Sequence, residues 1–379
     1  MKKQLIVLNT GFALFSMFFG SGNLVFPIGV GQESGGHFLL GSLGILLTGV
    51  LVPFLGVLGM MLYNGDRQSF FGCFGKKGIF LFSLLALGLM GPFGVLARCL
   101  TVAHGALLLL IPQASLPFTS ALMCLGIFLL ALHQNKIVSV VGVLLTPFLL
   151  VSVAAIAFFG IKNGLGSDPV TVNATISGLA AFENGFFQGY QTMDLLAAFF
   201  FSTFVVHHLQ KESKEDSVNI FYQSALVGAG ILSLVYFALV LLGSIYAEVL
   251  RETPPQEMLG RIAVEALGSL AAPIVCLAIV LACFTTAIVL ASLFADFLRE
   301  EVLGNKIGNG TALFITLTIG FFVSTLDFAG ISSFIGPVLE AVYPALIMLT
   351  VVNIVNKMWG IQTSHWPVTL TLAAKLCLT

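Results

Sequence analysis

Charge is what this chain has least of. Of its 379 residues only 9% are Asp, Glu, Lys or Arg, 58% are hydrophobic, and mean hydropathy is +1.05. A soluble domain carries roughly 25% charged residues to face water, so a water-surrounded globule is excluded. Net charge is −1, from 16 basic and 17 acidic residues, which leaves no basic field for nucleic acid and no acidic tail. The glycine-rich phosphate loop of P-loop ATPases and the HExxH pair are both missing. Their absence argues against an ATP-driven pump carried on this chain and against a zincin-type intramembrane protease. The six cysteines, Cys73, Cys99, Cys124, Cys276, Cys283 and Cys377, show no CxxC or other metal-ligand spacing and read as small buried hydrophobes.

What the sequence does have is long apolar runs. At about 20 residues per crossing, they predict an all-α polytopic membrane protein with ten spans: Leu5–Val30, Phe38–Tyr63, Gly78–Ile111, Pro117–Leu132, Ile137–Ile161, Phe186–Leu209, Val218–Tyr246, Leu270–Leu298, Thr311–Leu326 and Ile331–Val355. A partial eleventh run starts at Trp366 and ends with the chain. No room is left for a soluble module, so 1–379 is expected to be one transmembrane domain. Lys2 and Lys3 precede a run that resembles a signal peptide, but no cleavage site of small residues follows, and the run is read as a retained first helix. With the N-terminus cytoplasmic, eleven basic residues fall on inner loops and four on outer ones, with Arg98 inside a span; that satisfies the positive-inside rule.

The polar stretch Lys162–Gly185 divides the spans five and five. Five is odd, so a second five-helix unit enters the membrane inverted, as in many secondary transporters; the units are 5–161 and 186–357, with the partial helix over 364–379. Each opens on an interrupted helix, at Gly20-Ser21-Gly22-Asn23 in the first and Gly189-Tyr190-Gln191-Thr192 in the second. Helix-interior glycine costs about 1 kcal/mol relative to alanine, and backbone groups freed by a break are tolerated only where they line protein or a water-filled cavity. The half-helix after a break presents its positive end to a carboxylate, and the carbonyls before it suit a cation. Small residues that only let helices pack closely are the alternative; paired interruptions in inverted halves favour a site.

Ionisable residues inside a span are functional candidates by default. Asp194 and Glu340 both fall near mid-depth of their spans, and Arg98 falls in the outer half of span three. A pair between Arg98 and Glu340 or Asp194 would close the outer mouth of a cavity or serve as a fixed structural pair. His207 and His208 are adjacent, face different directions and read as a solvated helix end, while His104 reads as a hydrogen-bonded core residue. Thr285-Thr286 is a hydroxyl pair deep in an apolar helix; such oxygens suit a hard cation or bond the helix's own carbonyls.

Three segments together carry a family resemblance: Phe12-Ala13-Leu14-Phe15-Ser16-Met17-Phe18-Phe19-Gly20-Ser21-Gly22-Asn23-Leu24-Val25-Phe26-Pro27, Gly189-Tyr190-Gln191-Thr192-Met193-Asp194 and Ala282-Cys283-Phe284-Thr285-Thr286-Ala287. Pro337-Val338-Leu339 and Tyr343-Pro344 continue it. The chain resembles the branched-chain amino acid:cation symporters, the BrnQ family, over nearly its whole length, departing at the C-terminus, where that family usually continues through two complete helices after span ten. The resemblance implies a LeuT-type fold with five-plus-five inverted repeats and broken helices one and six. It also implies a Na+ site at the carbonyls of Ser16, Phe19 and Ala282 and the hydroxyls of Thr285 and Thr286.

The leading expectation is sodium-coupled symport of leucine, isoleucine or valine across a bacterial cytoplasmic membrane, without covalent chemistry, cofactor or obligatory protein partner. The substrate site comprises Gly20, Ser21, Gly22, Asn23, Gly189, Tyr190, Gln191 and Thr192. Backbone N–H groups near Gly22 and Asn23 take the carboxylate, Tyr190, Thr192 and carbonyls around Gly189 take the ammonium, and Phe19 and Phe187 receive the side chain. The alternatives are proton coupling through Asp194, import of another small solute, or a polytopic membrane enzyme acting on lipid. Such an enzyme would gather its polar groups near one membrane face, whereas here they fall near mid-depth.

Overall fold

A computed structural model describes residues 2–132, 137–164, 176–212 and 217–360, together with Val368 and Thr371. The expected partial helix over 364–379 otherwise lies outside the described residues. Among those residues the chain is helical with no strand. The main helices are α1 (Lys2–Phe18), α2 (Ser21–Glu33), α3 (Phe38–Leu62), α4 (Gly75–Met90), α5 (Val95–Leu108), α6 (Leu116–Ala131), α7 (Ile137–Gly164), α8 (Gly178–Gln191), α9 (Asp194–Glu212), α10 (Ser217–Ile245), α11 (Met258–Leu267), α12 (Ala272–Phe297), α13 (Asn309–Ser324) and α14 (Asp327–Trp359).

Among the described residues, five stretches are long and apolar enough to cross a membrane: residues 38–62, 72–108, 219–245, 269–302 and 327–359. Two further pairs bend sharply within a short break, α1 and α2 by 73°, α8 and α9 by 41°, and the count rises to seven when each pair is taken as one span. Leu116–Ala131, Phe148–Gly164 and Asn309–Ser324 are apolar but shorter.

The run read as one span from Gly78 to Ile111 is divided. Gly91-Pro92-Phe93-Gly94 forms a turn between α4 and α5, because proline lacks the N–H that would continue the ladder and clashes with the preceding turn. Pro337 and Pro344 sit inside α14 without ending it, which neighbouring helices make tolerable at membrane depth. Cys99, Cys276 and Cys283 are buried as expected, but Cys73 is exposed, on the short 3₁₀ turn ahead of α4. His104 is buried with its Nδ1 3.0 Å from Thr119 Oγ1.

Two seams lock members of the bent pairs to other helices through glycine. Across α3 and α8, a Cβ built on Gly44 would lie 2.3 Å from the Phe182 carbonyl oxygen, and one on Gly185 2.1 Å from that of Gly41. Across α2 and α10, a Cβ on Gly31 would lie 1.9 Å from the Val240 oxygen and one on Gly243 2.1 Å from the Ile28 oxygen. These backbones touch, which is how membrane helices associate where burial from water drives nothing. Thr48, in the π-helical turn Leu47–Leu51 of α3, adds a hydrogen bond to the Phe186 carbonyl at 2.7 Å. Gly44→Ala should therefore push α8 off α3 and cost about 1–3 kcal/mol, read as a lowered melting temperature in detergent. Gly230→Ala, where a Cβ meets nothing within 4 Å, should leave melting unchanged or raise it.

Candidate functional site

The site grows from the two bends. In α1 the Phe19 N–H still donates to the Phe15 carbonyl at 3.0 Å, but the next donor, Gly20 N–H, turns to Asn23 Oδ1 at 3.0 Å. The Ser16 carbonyl thus loses its ladder partner, and α2 starts at Ser21 in a new direction. In α8 the helix ends at Gln191, and Met193 adopts a left-handed conformation with φ 60°, a state that costs a non-glycine residue about 1–3 kcal/mol. The bends face each other: a Cβ on Gly22 would stand 3.7 Å from Thr192 Cα.

Two buried polar assemblies pin them together. Asn23 Nδ2 donates to Asp194 Oδ2 at 2.7 Å and lies 2.5 Å from Tyr236 Oη, which itself donates to Asp194 Oδ2 at 3.1 Å. This ties the start of α2 to the start of α9 and both to α10. Arg98, on α5, sends Nη1 to the Gln191 carbonyl at 2.7 Å and Nη2 to Gln191 Oε1 at 2.6 Å. Its guanidinium carbon lies 5.0 Å from the Phe26 ring centroid and 5.5 Å from that of Phe328. Arg98 is 1% exposed, and its Nε has no hydrogen-bond partner among the described residues. Cys99, the next residue of α5, donates to Ser21 Oγ at 3.3 Å.

Three cavities follow from this arrangement. The central one, about 60 Å³, is lined by both bends, by Arg98 and Asp194, and by Met17, Phe19, Met90, Val95, Ala197, Phe201 and Leu290. A second, about 340 Å³, lies on the Lys2 side of the bends between α1, α7, α9 and α12 and shares Ser16, Met17, Phe19, Phe201, Thr286 and Leu290 with the first. A third, about 470 Å³, lies on the far side and shares only Gln191 with the central cavity.

Of the residues singled out in the sequence, Gly20, Gly22, Asn23, Gln191 and Thr192 line the central cavity, and Ser21 stands at the start of α2 bonded to Cys99. Ser16, Phe19, Ala282, Thr285 and Thr286 all line the cavity on the Lys2 side. Thr285 Oγ1 donates to the Ala282 carbonyl at 3.0 Å, so its lone pairs remain available to a cation.

Four expectations need correction. Arg98 forms no ion pair with Glu340 or Asp194; its partner is Gln191, because a helix-end carbonyl and an amide oxygen together accept from two guanidinium nitrogens without a second buried charge. Glu340 lines the far-side cavity instead. Tyr190 is buried against Tyr343, with ring centroids 4.7 Å apart, and Phe187 packs on Tyr190 at 5.9 Å; neither lines the central cavity. Gly189 is a packing glycine whose Cβ would strike Thr48 Oγ1 at 2.0 Å, and its carbonyl is taken by Thr192 Oγ1 at 2.9 Å. Sequence reasoning missed Tyr236, Phe26 and Phe328, which carry no signal in an aromatic-rich chain, and the Gly91–Gly94 turn, which a proline between glycines inside an apolar run does signal.

A family model described as branched-chain amino acid transport protein matches residues 2–379. The chain belongs to this family. Among its relatives, a chain from Staphylococcus haemolyticus provisionally named a branched-chain amino acid carrier protein is 30% identical over 366 residues, covering 91% of this chain and 80% of that one. One from Staphylococcus epidermidis with the same provisional name is 28% identical over 368 residues, covering 92% and 81%. In fold, the inward-facing conformation of Mhp1 superposes with TM-score 0.65 at 15% identity, covering 93% of this chain and 77% of that one. A manganese transporter from Eremococcus coleocola gives 0.56 at 13% identity, covering 98% and 86%. The family and the relatives named here are transport proteins, so this member of the branched-chain amino acid transport family is a multi-pass transporter rather than an enzyme.

In this transporter the Asn23–Asp194–Tyr236 triangle holds the two bends in register. Tyr236→Phe and Asn23→Ala should each lower the melting temperature, and the double variant should lose less than the sum. The coupling is expected at about 0.6–1.7 kcal/mol, the range for polar pairs between membrane helices, and additive losses would show that the triangle is not one unit.

Proposed function

We propose that this protein imports branched-chain amino acids together with Na+, each bent pair being one interrupted span and the Lys2 side being cytoplasmic. The observation that carries this reading is the convergence of Ser16, Phe19, Ala282, Thr285 and Thr286, from two helices far apart in sequence, on one cavity joined to the space between the bends. Oxygen ligands of this kind suit a hard monovalent cation, and the Ser16 carbonyl is the one the α1 ladder releases. The substrate lies between the bends: its carboxylate at the free N–H groups opening α2, its ammonium at Thr192 and Asp194, and its side chain among Met17, Phe19, Phe201 and Leu290. Such an apolar wall separates substrates by about 1–3 kcal/mol per methylene, which favours leucine, isoleucine and valine over alanine.

A second reading, proton coupling, draws on Asp194, a buried carboxyl whose partners are an amide and a phenol rather than a cation. The two readings separate in proteoliposomes. Replacing Thr285 and Thr286 together by valine keeps shape and removes two cation ligands, so the sodium concentration for half-maximal leucine uptake should rise about tenfold or more. Asp194→Asn should raise the leucine concentration for half-maximal uptake on either reading, because the ammonium loses its carboxylate, but it should remove a response to a pH gradient only if the proton is the coupling ion. Leucine uptake that ignores sodium and follows a pH gradient would replace the sodium reading with the proton one.

A further inference from the structure

Arg98 is the one guanidinium at the central cavity, and neither the cation site nor the helix-end carboxylate site uses it. Bringing an arginine to membrane depth is costly, and such residues face a cavity or pair with one another or with backbone carbonyls. Arg98 meets both descriptions. It is 1% exposed, it forms part of the central cavity's wall, and two of its three nitrogens are held by oxygens of Gln191. The third, Nε, has no partner among the described residues. A buried donor left unsatisfied beside a cavity is an expensive arrangement to maintain, and a guanidinium is built to receive a carboxylate through two parallel N–H groups. Arg98 lines the same cavity as Gly20, Gly22 and Asn23, the helix start where the proposed function already places the substrate's carboxylate.

We propose, building on that reading, that Arg98 is a substrate-binding residue. Its Nε–H and Nη2–H grip the carboxylate of the amino acid, and the carboxylate takes the place of Gln191 Oε1 on Nη2. The backbone carbonyl of Gln191 keeps Nη1. Two consequences follow. Recognition requires a carboxylate on the substrate, so amines and amides of the same side chain bind weakly. Because Gln191 is the one residue shared by the central and far-side cavities, freeing its side chain loosens the layer between them only when a carboxylate has arrived.

The two competitors for Arg98 make the test directional. Leucine and leucinamide affinities are measured by calorimetry on purified wild-type, Arg98→Gln and Gln191→Ala proteins. Arg98→Gln should weaken leucine about 10- to 100-fold and leave leucinamide nearly unchanged, narrowing the discrimination between them to what the start of α2 supplies. Gln191→Ala keeps the guanidinium but removes its side-chain competitor, so leucine should bind several-fold tighter while leucinamide does not move. If Arg98→Gln does not fold, the Gln191→Ala arm decides alone. Equal shifts for both ligands, or weaker leucine binding in Gln191→Ala, would overturn the assignment. A wild-type protein that binds neither ligand would remove the amino-acid reading itself and this inference with it, whereas wild-type leucine binding that Arg98→Gln leaves intact removes the inference alone.

Discussion

Everything in this structure follows from one constraint: backbone N–H and C=O groups at membrane depth have no water to turn to and must find partners inside the protein. A continuous helix meets the constraint by itself. An interrupted one does not, and each interruption here is surrounded by the groups that compensate it. Gly20 N–H is taken by Asn23, the Gln191 carbonyl by Arg98, and the Gly189 carbonyl by Thr192. The Ser16 carbonyl loses its ladder partner, and Ser16 is one of the residues lining a cavity. The polar residues near mid-depth are thus accounted for first as the chemistry that makes two bends tolerable, and that same chemistry makes the bends useful to a polar solute.

Much of this was legible in the residues. Gly20-Ser21-Gly22-Asn23 is a run of four poor helix formers inside an apolar stretch, and the chain bends there. The hydroxyl pair Thr285-Thr286 was visible as polarity in an apolar helix, although its distance from Ser16 was not. The second bend, expected over Gly189 to Thr192, falls at Thr192 and Met193, the end of that segment and just beyond it. Glycine in a membrane helix marks either a break or a close backbone approach, and composition does not separate the two. Only the position of Thr48, over a hundred residues away in sequence, shows that Gly189 belongs to the second kind.

Arg98 failed for a different reason. Charge pairing is the natural expectation for a buried arginine, and a sequence offers carboxylates as the visible partners. A guanidinium is satisfied equally by the carbonyl end of a helix, which carries partial negative charge and is invisible until the helix is known to stop there. Not knowing where α8 ends also made Tyr190 look available to the cavity, whereas its side chain packs against Tyr343.

The distribution of rigid and exchangeable contacts then indicates how access to the two sides can alternate. The seams between α3 and α8 and between α2 and α10 are mainly backbone against backbone, with Thr48 adding one side-chain bond to the first, and such contacts leave little to re-aim. The barrier toward the far side is of another kind, a single layer in which Arg98 and Gln191 meet between Phe26 and Phe328. Its hydrogen bonds involve a flexible amide and a fork of five donors, of which only some are engaged, so partners can be exchanged without breaking a helix. On the sodium-coupled reading the cargo is a zwitterion and the ion carries the only net charge moved. At about 2.3 kcal/mol per charge per 100 mV, the membrane potential then acts on the step that carries the ion across. Exchanging hydrogen-bond partners in a layer of side chains costs far less than parting a glycine seam, which would need the loss of a packed backbone interface.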